Sequence, residues 1–290
     1  MIEWPSQLKR DLLSRRVVVF LGSGVSKNSL GKDGKTRPLL WREFLELGLR
    51  RLGSKGTAHI KRAIKDNDLL HACEWIRAKM EEEWEPFLRD CFVTPGFSPA
   101  EIHKTIFNLD QRVYLTPNFD QIFENFVTAE TGGQVTVKRY YDQDVHNFLR
   151  EDRTYIIKVH GSIDNPNELI FTNRDYAKAR ISHSGFYDVL DACLLSHTFL
   201  IIGCGVSDPD LTLLLENQRF NFPHTRPHYL VTSSRMPTDM VKSLRSNRNL
   251  KCLTYDPRDG HSELLESLKE LAKVMDDVPA LPLNALAEAG

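Results

Sequence analysis

Residues 16–26 read RVVVFLGSGVS, and the change within this stretch from apolar residues to glycine decides the fold class. Val17, Val18, Val19, Phe20 and Leu21 form an unbroken apolar run. A strand with one wet face would alternate, so an unbroken run predicts a parallel strand covered on both faces. Gly22 and Gly24 follow at once, and a backbone without Cβ turns tightly there and lets a bound group come close. If a helix starts directly after the turn, its unpaired N–H groups favour an anion at the same point. The stretch reads as a buried strand that delivers the chain to a phosphate-binding turn, or as an ordinary strand-to-helix turn that needs glycine for its geometry. It is not the full dinucleotide fingerprint, because the position three after Gly24 is Lys27 and not glycine.

Outward from this turn, the composition sets bounds. A chain of 290 residues fits one large domain, or one domain with an insertion. A formal net charge of −1 gives no basis for non-specific attachment to nucleic acid or to a membrane surface. No apolar run approaches the roughly 20 residues that span a bilayer. The N-terminal MIEWPSQLKRDLLSRR lacks a signal-peptide core, so a cytoplasmic location is expected. The five cysteines, at 73, 91, 193, 204 and 252, are scattered and form no CxxC pair, which argues for reduced thiols.

Residues 6–14 read as a short helix leading into the first strand. After the glycine turn, KNSLGKDGKTRP carries four basic residues from Lys27 to Arg37 and reads as a solvated loop or as a lid. Helical periodicity returns from Leu39 to Leu52. Residues 57–92 show no strand signal, and their apolar positions recur every three or four residues, which predicts a helical insertion. The acids Glu81, Glu82, Glu83 and Glu85 within it fan outward on a helix and read as a solvated face. Ser98, Pro99 and Glu101 read as a helix start with cap, first and third positions filled. Further strands are expected at 112–115, 134–138, 154–159, 198–202, 228–232 and 251–255, with helices between them at 120–130, 186–196, 209–219 and 261–275. Residues 276–290 are left as a tail. Repeated strand–helix units of this length imply an α/β, Rossmann-like open and mostly parallel sheet with helices on both faces, whose ligands bind beyond the carboxyl ends of the strands.

Those ends carry the chemistry. The first has GSGVS, 22–26. The second has TPNFD, 116–120, where Asn118 is either a helix cap or a polar group facing a ligand. The third, KVHG at 158–161, ends a buried strand in His160, a position suited to acid–base work or to a satisfied structural histidine. The fourth is GCGVSDPD, 203–210, a second glycine turn with Pro209 at a first helical position. Together these four motifs, in this order, resemble the sirtuin family, and more closely its sirtuin-like branch found in bacterial NAD-degrading defence proteins. The resemblance runs from about Val17 to about Leu271.

Two departures narrow what the resemblance implies. Sirtuin deacylases carry a zinc ribbon of two CxxC pairs after the catalytic histidine, whereas Gly161 to His197 holds only Cys193, so no four-thiolate site can be built and no metal is expected. Pro117 also stands where the family has glutamine. These losses weigh against acyl-lysine chemistry and leave an NAD site in place. By resemblance, Gly22, Ser23 and Gly24 hold the pyrophosphate with help from Ser26, and Asn118 contacts the nicotinamide ribose and positions water. Asp120 binds the carboxamide, His160 is the base, and Gly203, Gly205, Ser207 and Asp208 form the adenosine side. The implied activity is NAD hydrolysis to nicotinamide and ADP-ribose, with NAD as substrate. The implied setting is the latent effector of an abortive-infection defence complex, a homo-oligomer or a complex with a regulatory partner. A protein deacylase and a non-catalytic NAD- or ADP-ribose-sensing module are the alternatives.

Overall fold

The computed structural model describes residues 1–205 and 208–276; Ser207 and the expected tail from 277 onward lie outside the described residues. Seven strands form one sheet: β1 (Val17–Leu21), β2 (Val113–Thr116), β3 (Thr136–Arg139), β4 (Tyr155–Lys158), β5 (Thr198–Ile202), β6 (His228–Ser233) and β7 (Leu250–Tyr255). Every pairing is parallel and the order across the sheet is β3-β4-β2-β1-β5-β6-β7. The expected strands are all present, with ends shifted by a residue or two.

The unbroken apolar run of β1 has a direct cause in the packing. Val17, Val19 and Leu21 enter one apolar cluster and Val18 and Phe20 the other, so both faces of the strand are covered. The first face is covered by α1 (Ser6–Leu13), α7 (Glu101–Phe107), α8 (Ile122–Glu130) and α13 (Arg258–Asp276). The second is covered by α9 (Asn173–Ser182), α10 (Ser184–Ser196) and α11 (Pro209–Asn221), with α12 (Thr238–Arg248) at its margin. No helix among the described residues is long and apolar enough to cross a membrane.

Between β1 and β2 the chain makes the single turn α2 (Ser23–Ser26), then α3 (Trp41–Leu52), α4 (Ala58–Lys65), α5 (Leu69–Met80) and α6 (Trp84–Phe92). Helices α3 to α6 pack around a third apolar cluster that includes Phe44, Ile76, Trp84 and Phe87, and residues Ile163, Leu169 and Phe171 from beyond β4 complete it. The four glutamates of this region are exposed, as a solvated face requires. The basic loop that precedes α3 is pinned at its middle: Gly31 N–H donates to the Thr36 carbonyl (2.8 Å), Lys32 N–H to the Pro95 carbonyl (2.9 Å) and Ser98 N–H to the Leu30 carbonyl (2.9 Å).

Two helix starts differ from expectation. Ser98 bridges to Leu30, so α7 begins at Glu101, and the His103 ring nitrogen Nδ1 accepts the Ala100 N–H (3.0 Å) in place of a serine cap. Asn118 is not a cap either. Asp120 Oδ1 accepts the Ile122 N–H (3.1 Å), and α8 begins at Ile122.

Candidate active site

The two glycine turns lie back to back. Gly22 N–H donates to the Ile202 carbonyl and Gly24 N–H to the Gly203 carbonyl, each at 2.9 Å. A Cβ on Gly22 would sit 2.4 Å from the Gly203 oxygen, and one on Gly203, which has φ +67°, would sit 2.7 Å from the Val25 nitrogen. These glycines, expected on sequence grounds to serve a ligand, therefore serve first the approach of one turn to the other. Gly22, Ser23, Ser26 and Gly205 border the adjoining cavity, while Gly24 and Gly203 lie in the seam and do not border it.

Strand β2 ends in a turn tied to the first motif. Thr116 Oγ1 donates to the Leu21 carbonyl (2.8 Å) and accepts the Asn118 N–H (3.1 Å). Asn118 Nδ2 donates to Ser26 Oγ at 3.0 Å, so the side chains of two separate motifs are joined. Asp120 is buried and borders the cavity from below.

His160 follows β4, and the chain reverses directly after it. Gly161 has φ +81°, and a Cβ there would meet the Glu168 carbonyl oxygen at 2.5 Å. The Ile170 N–H donates to the His160 carbonyl (3.1 Å), which closes the reversal. The imidazole is buried and its Nε2 lies 3.0 Å from Asp208 Oδ2. The same carboxylate accepts the Tyr176 O–H at Oδ2 (2.9 Å) and the Leu211 N–H at Oδ1 (2.8 Å), the latter as cap of α11. Burial alone would raise the Asp208 pKa, but the His160 imidazole beside it and these two donors carry it below the ordinary carboxylate value. Burial and the neighbouring Asp208 push the Tyr176 hydroxyl well up, so it stays a donor. An ionised carboxylate only accepts, so Nε2 of His160 carries a proton and Nδ1 is the basic nitrogen of the neutral ring.

These groups surround a cavity of about 440 Å³. Ser23, Ser26, Asn118, Asp120, His160 and Asp208 supply its polar side, and Trp41, Phe44, Phe92, Phe119 and Phe171 its apolar side. The aromatic wall is continuous: ring centroids of Trp41 and Phe171 are 5.8 Å apart and those of Phe119 and Phe171 4.3 Å. Among the described residues no group of three or more His, Cys, Asp or Glu is arranged to hold a metal ion. A shape of this kind, mostly apolar with a few convergent polar groups, suits a flat aromatic group carried on a polar sugar.

The structure thus brings together every described residue expected at the site, either on the cavity or in the seam beneath it. Asp208, expected on the adenosine side, is committed to His160. Sequence reasoning missed Tyr176, a tyrosine within a polar helix that carries no distinguishing pattern, and it missed the aromatic wall, whose members come from four separate segments.

Residues 112–253, from the edge of β2 into β7 and with Asn118, His160 and Asp208 among them, match the SIR2-like domain. The chain is 30% identical over 146 residues to "NAD(+) hydrolase ThsA" of Enterococcus faecium, covering 50% of this chain and 30% of that protein. It is 27% identical over 134 residues to the protein of the same name from Acinetobacter baumannii (46% and 27%), and 23% identical over 229 residues to that of Bacillus cereus strain MSX-D12 (76% and 44%). It spans less than half the length of each of these relatives. A parallel sheet with paired glycine turns, an Asn118 turn beside a strand-terminating His160, and this match across β2 to β7 agree with one another: over residues 112–253 the chain is similar to the sirtuin-like family.

Proposed function

We propose that the chain hydrolyses NAD at the bond between nicotinamide and ribose, releasing nicotinamide and ADP-ribose. The observation that carries this reading is the convergence on one cavity of the Ser26–Asn118 pair and the Asp208–His160 pair, drawn from four strand ends. The relatives named NAD(+) hydrolases support it.

The leaving group of NAD is cationic before reaction, so the enzyme needs mainly to orient the dinucleotide and stabilise the positive charge that develops on the ribose. Water attacks the anomeric carbon, the carbon–nitrogen bond breaks with its electron pair going to the pyridine nitrogen, and His160 Nδ1 takes the proton of the water. Asn118, held by Ser26, orients that water against the ribose. Gly22, Ser23 and Ser26 border the pyrophosphate, Asp120 the carboxamide and Gly205 the adenosine side, with Gly24 and Gly203 forming the seam that supports them; only the resemblance adds Ser207 to the adenosine side. Asp208 acts on His160 instead of on adenosine. The latent defence role, and a homo-oligomer or a regulatory partner that releases it, rest on the resemblance to NAD-degrading defence proteins.

Incubation of the chain with NAD, with product separation by chromatography beside a His160→Ala control, tests the reading. Nicotinamide and ADP-ribose are expected with His160 intact and lost with alanine. Equal turnover by the His160→Ala protein would remove the assigned base, and NAD bound but never cleaved would move the assignment to a sensing module.

A further inference from the structure

We propose that Lys158 is a positioning residue of this site: it clamps the turn that carries Asn118 and Asp120 onto the strand that carries His160. The proposal rests on the NAD-cleaving reading and adds a residue to which that reading gives no task.

Lys158 lies within β4, two residues before His160, and its side chain is fully buried. Its neighbours Tyr155, Ile156, Ile157 and Val159 are buried and apolar or aromatic, as a central parallel strand requires. A buried ammonium group is costly to maintain unless it is paired and hydrogen-bonded, so a strand that had only to fold would be expected to carry an aliphatic residue there. Lys158 Nζ has two partners on the face covered by α8. It donates to the main-chain carbonyl of Asp120 and to Glu124 Oε1 at 2.5 Å. Glu124 is buried as well, and it supplies the countercharge without which the ammonium could not stay inside.

The bond to Asp120 differs in kind from the others that hold this turn to β4 and the residues after it. Val159 N–H donates to the Thr116 carbonyl and Ile163 N–H to the Phe119 carbonyl, both main chain to main chain. Lys158 secures the next residue, Asp120, through a side chain. A small space of about 10 Å³ adjoins the clamp, lined in part by Ser26, Asn118, Asp120, Glu124 and Lys158. His103 also borders it, fully buried, with Nε2 lacking a hydrogen-bond partner. The underside of the Ser26–Asn118 pair is therefore polar, and Lys158 is its cationic anchor. Loss of that anchor frees Asp120 and with it Asn118, whose amide must be placed to a fraction of an ångström for reaction.

The test removes both charges together, because an unpaired buried charge would damage the fold for reasons unrelated to the site. Lys158→Met/Glu124→Leu is expected to fold, with kcat for NAD at least tenfold below wild type, KM within threefold, and a crystal structure in which the Asn118–Ser26 bond is broken. A folded double variant with kcat within threefold of wild type would overturn the proposal. Glu124→Gln removes the countercharge, but the lysine amine, charged or neutral, still has an N–H for the Asp120 carbonyl, and kcat of the folded variant is expected to hold within threefold. A tenfold loss in that folded variant would show that the charge of the pair, and not the clamp, is what matters, and would also overturn it. If wild type cleaves no NAD, the NAD reading fails by itself, and the crystal structure of the double variant decides the clamp: a displaced Asn118 supports it and an unmoved one refutes it. Should that double variant fail to fold, Lys158→Met/Glu124→Gln, which removes the donor and leaves a neutral polar group beside it, decides by the same thresholds: a tenfold loss of kcat supports the clamp and kcat within threefold refutes it.

Discussion

Asp208→Asn is the most informative single change at this site, because two readings of the residue predict different kinetics. The carboxylate accepts three donors: His160 Nε2 at 3.0 Å and Tyr176 O–H at 2.9 Å on Oδ2, and Leu211 N–H at 2.8 Å on Oδ1. An amide of the same shape has only one oxygen to offer. If that oxygen stays on Leu211, the new NH₂ faces His160 Nε2, which must then accept, and the ring proton moves to Nδ1, the nitrogen assigned as base. If the amide turns the other way, His160 keeps its tautomer but the α11 cap is lost, at about 1 kcal/mol of stability. The bond to His160 also changes from charge-assisted, about 1.5–3 kcal/mol, to neutral, about 0.5–1.5 kcal/mol. The first arrangement removes the base outright, and the second weakens its orientation by ~1 kcal/mol or more. With tenfold in rate for each ~1.4 kcal/mol, kcat is expected to fall by roughly one to two orders of magnitude. KM for NAD should stay within about threefold. The assay is nicotinamide release across a range of NAD concentrations, with a thermal melt to establish that the variant is folded. A KM raised tenfold at unchanged kcat would return Asp208 to the adenosine side and refute the argument from the His160 pair.

Two further outcomes follow from the packing. Gly22→Ala places a Cβ 2.4 Å from the Gly203 oxygen and 2.7 Å from the Cys204 Cα, both of them main-chain atoms that cannot swing aside. A loss of about 1–3 kcal/mol in a denaturant titration is expected, together with reduced NAD turnover, and an alanine variant with wild-type stability would show that the two turns do not need this seam. His228, whose Nδ1 accepts the Phe199 N–H (3.1 Å), is held by burial to a pKa of about 4 against an ordinary 6.5. Its folded pKa is depressed, so above 6.5 it is neutral in both states and contributes no pH dependence. Between 6.5 and 4 only the unfolded chain takes up the proton, and stability falls as pH drops through that window, by up to ~3 kcal/mol. Urea midpoints at pH 7.5 and pH 5 should converge in His228→Asn, which keeps an acceptor near Nδ1, and an undiminished pH dependence would assign the effect to other groups.

What could be read in the sequence was what depends on neighbours in the chain. The run Val17–Leu21 has to be covered on both faces because consecutive side chains point opposite ways, and that fixed a parallel sheet before any contact was known. His160 stood out because it ends such a run, whereas Lys158, a charge inside TYIIKV, drew no reading from the sequence. What the sequence could not carry was pairing across it. That Asp120 and not Asn118 accepts the first N–H of α8 goes with a pairing the sequence does not show, the Asn118 amide donating to a Ser26 hydroxyl 92 residues away. The aromatic wall is likewise invisible in any one window. Trp41 and Phe44 come from α3, Phe92 from the end of α6, Phe119 from the turn after β2 and Phe171 from the segment before α9.

The most consequential of these hidden pairings is the one between His160 and Asp208, because of where its two members originate. His160 follows β4 and Asp208 follows β5, and the sheet order places β2 and β1 between those strands. The carboxylate beside His160 Nε2 therefore comes from across the point where the strand order reverses, while the glycine seam ties β1 to the end of β5. The competence of the proposed base is for this reason not a local property of β4. A shift of about 1 Å of Asp208 relative to β4 would stretch a 3.0 Å bond past hydrogen-bonding range and leave Nδ1 and Nε2 free to exchange their roles, with every residue of the site still present. A site built this way can be complete in composition and silent in chemistry. On the proposed reading, activity then depends on whatever holds Asp208 against the opposite half of the sheet.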